Sequence, residues 1–163
     1  MRSSGKKTPK SIAERTCQMM RFSCRSATED DKSFIFESYK LSMGSYIEWA
    51  WGWNEKTQHN GFWTNLSIDN FKIICVSGQP AGAFYVEENE QRHWLRMIFL
   101  RPEFQGHGIG STLLGLEVER ARCAGKFLEL RVIKINPAKR LYDRLGFTVV
   151  EEDDVTYSMK LVP

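Results

Sequence analysis

No apolar run in this 163-residue chain approaches the ~20 residues that a membrane-spanning helix needs, so no membrane partner is expected. Cysteine is sparse: Cys17, Cys24, Cys75 and Cys123 have no C-x2-C spacing, which excludes a zinc-ribbon arrangement and reads as reduced thiols in a cytoplasmic protein. The three histidines, His59, His93 and His107, are scattered, so no metal site is expected. A net charge of +3 is too small to argue for nucleic acid. There are no internal repeats and no long linker. What remains is an ordinary soluble composition, 42% hydrophobic and 26% charged, of a length suited to one domain. Residues 1–18 stand apart: Lys6, Lys7, Lys10 and Arg15 lie among Ser, Thr and Pro without an apolar segment, which reads as a flexible basic tail rather than a secretory signal. The domain is then expected over 19–163.

Patterning gives the element order. Arg21–Arg25 alternates as a strand. Thr28 followed by three acids marks a helix start, with Ile35 and Tyr39 at i, i+4, and the helix is expected to end near Met43. Tyr46–Leu66 is expected to hold a second helix and a loop. Phe71–Val76 and Ala81–Val86 form a hairpin across Ser77–Pro80, and Trp94–Leu100 is a further strand. Ile109, Leu113 and Leu116 recur on one face of a helix that ends at Gly125. A strand over Phe127–Ile133, a short helix over Pro137–Leu145, and strands over Phe147–Val150 and Val155–Leu161 complete the order β-α-α-β-β-β-α-β-α-β-β. Hairpins mixed with βα units require a mixed sheet in an α/β fold.

Pro102-Glu103-Phe104-Gln105-Gly106-His107-Gly108-Ile109-Gly110-Ser111 joins a strand to a helix start. Glycines let the backbone curl so that successive N–H groups converge, and the helix dipole adds to them, which makes an anion site. A P-loop would need Lys after Gly110, and Ser111 stands there. A Rossmann turn would need its third glycine where Ser111 stands, and a longer chain. The pattern Gln-x-x-Gly-x-Gly fits Gln105, Gly108 and Gly110 without a gap.

That pattern, with the strand before it, resembles motif A of the GNAT superfamily of N-acetyltransferases. Asn136-Pro137-Ala138-Lys139-Arg140-Leu141-Tyr142-Asp143-Arg144-Leu145-Gly146-Phe147 is similar to the family's motif B, an Asn after a strand followed by Leu-Tyr and Gly-Phe. The resemblance implies a three-layer α/β/α GNAT fold whose mixed central sheet splays between Trp94–Leu100 and Phe127–Ile133, with acetyl-CoA as co-substrate along the gap. It implies that the backbone of Ile98, Phe99 and Leu100 pairs with the pantetheine arm and that Gly106, His107, Gly108, Ile109, Gly110 and Ser111 cradle the pyrophosphate behind Gln105. Asn136 would contact the arm, and Lys139 would lie near the adenosine phosphate. Tyr142 would be the general acid that protonates the leaving thiolate; on the residues alone it reads as a packing tyrosine beside Leu141 and Leu145. One residue fewer separates Asn136 from Tyr142 than in many members, which lets the helix start earlier.

The implied activity is transfer of the acetyl group to a primary amine by direct attack on the thioester, the amine being a small molecule or a peptide. A non-catalytic acyl-CoA-binding module and a protein N-terminal or lysine acetyltransferase are the alternatives, in a monomer or homodimer. Some relatives carry a basic Glu on the splayed strand; here Arg96 stands there and no acid lies between Trp94 and Leu100. The base must come from elsewhere or from water. Four of the five tryptophans lie in Tyr46–Leu66. Tyr39, Glu48, Trp51 and Trp53 are candidate contacts for a cationic amine, with Glu48, Glu55 or His59 as candidate bases. Equally, the tryptophans anchor helices and the acids face water.

Overall fold

The computed structural model describes residues 21–163, so the basic segment 1–18 lies outside the described residues. Strand β1 (Phe22–Ser26) leads into α1 (Lys32–Trp51) and α2 (Glu55–Asn65); β2 (Phe71–Val76), β3 (Gln79–Glu88) and β4 (Arg92–Leu100) follow as a meander. Then come α3 (Ile109–Cys123), β5 (Phe127–Ile133), α4 (Lys139–Leu145), β6 (Thr148–Glu152) and β7 (Thr156–Leu161). The seven strands form one sheet in the order β1-β2-β3-β4-β5-β7-β6. Every pairing is antiparallel except β4 with β5. The element order matches the sequence expectation.

Two apolar faces make three layers. Ile35, Phe36, Tyr39 and Phe62 of α1 and α2 cover Phe71, Ile73, Tyr85 and Phe99 on one face. On the other, Leu114 and Val118 of α3 and Tyr142 of α4 cover Leu95, Leu128 and Leu130. No described helix is long and apolar enough to cross a membrane.

The β1–α1 corner is pinned by Asp31. Its carboxylate takes both guanidinium nitrogens of Arg25 at 2.8 Å and the backbone N–H of Thr28 at 2.8 Å. These donors pull its carboxyl down to about 2.

Helix α1 runs eight residues past the expected end at Met43 and stops at Gly52, whose φ is +77°. Gly44 lies inside the helix. A Cβ there would be 3.9 Å from the Trp53 ring, an ordinary van der Waals contact.

Candidate functional site

Strands β4 and β5 pair from Arg92↔Phe127 only as far as Leu95↔Leu130. Beyond that point β4 continues to Leu100 and β5 to Ile133, so the two diverge. The β3–β4 register shows why. Val86 faces Leu95 and Tyr85 faces Met97, leaving Arg96 as an extra residue on β4. Such a bulge bends its strand and increases local twist.

The divergence leaves backbone groups of β4 without a sheet partner. Arg101 N–H donates to Ala81 O on the β3 side. Successive residues of a strand point their backbone groups to opposite sides, so Phe99 faces β3 while Ile98 and Leu100 face the gap. Hence Phe99 cannot pair with a chain lying in the gap, contrary to the sequence expectation; its place opposite Ala83 uses its hydrogen bonds. The carbonyl of Leu100 is also engaged. It accepts from Ser42 Oγ at 2.7 Å and from Gln105 Nε2 at 2.8 Å. Gln105 therefore fastens the glycine turn to the end of β4.

The turn itself presents a row of donors. Gly106 and Gly108 adopt φ of +77° and +80°, a left-handed conformation that glycine takes without strain. The first helical hydrogen bond of α3 runs from Thr112 N–H to Gly108 O. The six N–H groups from Gly106 to Ser111 have no acceptor among the described residues. They stand at the N-terminus of a 15-residue helix, where the dipole favours an anion.

A cleft of about 660 Å³ occupies the gap. Its walls are Tyr39, Ser42, Met43, Tyr46 and Trp51 of α1, the splayed halves of β4 and β5, and Asn136, Leu141 and Tyr142 around α4. Gln105 and Gly110 close the end beside the turn. Tyr142 is 6% exposed, packs on Phe147 at 5.8 Å, and its hydroxyl has no hydrogen-bond partner among the described residues. Burial pushes its phenol up to about 12, so it stays protonated through neutral pH. Asn136 accepts from Ala138 N–H at 2.9 Å, which leaves its amide nitrogen facing Met43 Sδ at 3.9 Å and the cleft.

Several expected residues lie elsewhere. The Lys139 ammonium is held by Asp143 one turn along α4, with Nζ 2.9 Å from Oδ2, and does not line the cleft. Trp53 is packed against Phe36 and Tyr39 and donates to Glu55. Glu55 also pairs with Lys40 at 2.8 Å, and His59 packs edge-on against Phe36 at 4.8 Å. Glu48 is exposed outside the cleft. None of the three candidate bases therefore reaches it, and among the described residues no carboxylate lines it. Of the acceptor contacts expected, Tyr39 and Trp51 are in the walls.

The sequence reading missed Ser42, Trp94 and Arg131. Arg131 was legible: Leu128, Leu130 and Val132 alternate with Glu129 and Arg131, so a two-residue period alone puts the charged pair on the opposite face.

The acetyltransferase (GNAT) domain family matches residues 67–149, just over half the chain. An uncharacterized N-acetyltransferase of Methanocaldococcus jannaschii is 28% identical over 154 residues, 82% of this chain and 62% of that protein, so the chain spans less than two thirds of the relative's length. The PaiA N-acetyltransferase of Thermoplasma acidophilum, solved with coenzyme A, superposes with a TM-score of 0.70 over 88% of this chain and all of that one, at 18% identity. The ribosomal-protein-S18-alanine N-acetyltransferase of Escherichia coli gives 0.67 over 87% and 94%, at 19% identity. These solved structures share the fold.

Proposed function

The chain belongs to the GNAT acetyltransferase family, and from that premise we propose that it transfers an acetyl group from acetyl-CoA to an amine in the β4–β5 cleft, with Tyr142 as proton donor. Residues 19–163 form the catalytic domain in this reading.

One observation carries it. The cleft is bordered by the open edge of β4 and, at Gln105 and Gly110, by the turn whose six N–H groups have no acceptor among the described residues. An extended amide-bearing arm ending in a pyrophosphate suits both: a strand-like partner for Ile98 and Leu100 N–H, and an anion for the turn. Acetyl-CoA, when bound, supplies the activated thioester.

The chain's own residues do the rest. An unpaired N–H of β4 donates to the thioester oxygen as charge builds there, an effect worth ~3 kcal/mol. The amine nitrogen forms a bond to the acetyl carbon as the carbon–sulfur bond breaks. Tyr142 gives its phenolic proton to the departing thiolate, and the proton that the acylated nitrogen sheds passes to water, from which the phenolate is reprotonated. Among the described residues no carboxylate lines the cleft, so the ammonium proton leaves to water and the amine attacks as the neutral base.

The absence of a cleft carboxylate also favours a second reading, an acyl-CoA-binding module without turnover. Thiol release from acetyl-CoA against a panel of amines separates the two. Acetyl transfer predicts amine-dependent thiol release; tight CoA binding with no release for any amine would favour the module.

A further inference from the structure

We propose that the acceptor amine carries an anionic oxygen group, carboxylate or phosphate, beside an aromatic or apolar body, and that Arg131 binds that group; this rests on the acetyl-transfer reading above. Among the described residues only two charged side chains line the cleft, Arg96 and Arg131. Arg96 is already engaged: it pairs with Glu87 at 2.9 Å and stacks 4.6 Å above Trp94. Arg131 has no carboxylate within 4 Å among the described residues, and its one hydrogen bond is a 3.4 Å contact to Ser158 Oγ.

The acids around Arg131 are taken. Glu129 holds Arg92 at 2.6 Å and Lys160 at 3.4 Å. Asp153 accepts Thr156 Oγ1, Thr156 N–H and Val155 N–H. Arg131 is exposed in the cleft wall, and a guanidinium there with five donors and one weak contact is free to take a carboxylate or phosphate.

Position separates this role from cofactor binding. Leu130 is the last residue of β5 paired to β4, so Arg131 is the first beyond the fork, level with Arg96. Leu100 lies four residue steps beyond that level along β4, and the glycine turn begins further on. At 3.3 Å per residue this is ~13 Å or more from the pyrophosphate cradle. Arg131 therefore stands at the acyl end. Tyr46, Trp94 and Trp51 share that cleft, and Trp51 is 62% exposed, an aromatic surface left for an apolar body. Two arginines and no carboxylate disfavour a polyamine.

Matched amines test the proposal: tyrosine against tyramine, tryptophan against tryptamine, and phosphoethanolamine against ethanolamine. Rates of thiol release are compared at equal concentrations of neutral amine. The expected result is kcat/KM about tenfold or more higher for the acidic member of one series, the series identifying the anion. Arg131→Gln should collapse that ratio and Arg131→Lys should restore part of it. A second readout needs no turnover: with CoA bound, the acidic member should change tryptophan fluorescence at lower concentration than its neutral counterpart, and Arg131→Gln should remove the difference. Ratios near or below one in every series, or a ratio that survives Arg131→Gln, would overturn the proposal while leaving acetyl transfer standing. Absence of thiol release with every amine would instead overturn the acetyl-transfer reading, and this proposal with it.

Discussion

Replacing Tyr142 by Phe isolates the proton donor from the packing residue. The ring is 6% exposed and seated against Phe147, and Phe keeps that ring. The hydroxyl makes no hydrogen bond to the described residues, so its loss should change stability by less than about 0.5 kcal/mol. Tyr142→Ala would be less informative, since truncating a buried aromatic costs ~3–5 kcal/mol. A positioned general acid contributes roughly 10²–10⁴-fold, about 3 to 5 kcal/mol of barrier. The assay is single-turnover thiol release from acetyl-CoA, so that product release cannot mask the chemical step. Tyr142→Phe should slow it by about a hundredfold or more, with CoA affinity and melting temperature near wild type. Because the phenol titrates only near 12, wild-type rate should climb with pH as the amine becomes neutral, with no falling limb from Tyr142 across the neutral and mildly alkaline range. A variant that turns over within threefold of wild type would refute the assignment.

Two other substitutions probe the scaffold of the cleft. A Cβ at Gly82 would lie 2.9 Å from Leu100 Cα and run into the Phe99 carbonyl oxygen. Gly82→Ala should therefore force β3 from β4 at the cleft wall, costing about 1 to 3 kcal/mol in urea unfolding and weakening CoA binding by calorimetry; an unchanged midpoint would contradict the close approach. Asp31 is held at about 2 by Arg25 and Thr28, below its ordinary 3.8. Its contribution is fully present above the ordinary value and lost as pH falls toward 2. Arg25 is half exposed, so Asp31→Asn should cost about 1 to 2 kcal/mol at pH 6 and little at pH 2.5, read from urea midpoints at both.

The strand and helix order was legible because each element carries its own period and punctuation. The glycine turn was legible for the same local reason: its residues are contiguous, and the left-handed angles at Gly106 and Gly108 need glycine. What failed depends on contacts distant in sequence. Glu48, Glu55 and His59 look like a catalytic cluster until Lys40 and Phe36 are found to claim two of them and Glu48 is found facing solvent. Lys139 looks free for a phosphate until Asp143, four residues on, takes it. The Arg96 bulge, which opens the cleft, has no signature in composition or period; it appears only when β3 is paired to β4.

The central claim is that the fork between β4 and β5 and the turn after it bind acetyl-CoA. Amide hydrogen exchange with and without CoA tests it residue by residue. The amides of Ile98, Leu100 and Gly106–Ser111 should slow on CoA addition, while those of β1, at the far edge of the sheet, stay unchanged. Protection elsewhere with no change at these amides would contradict the account.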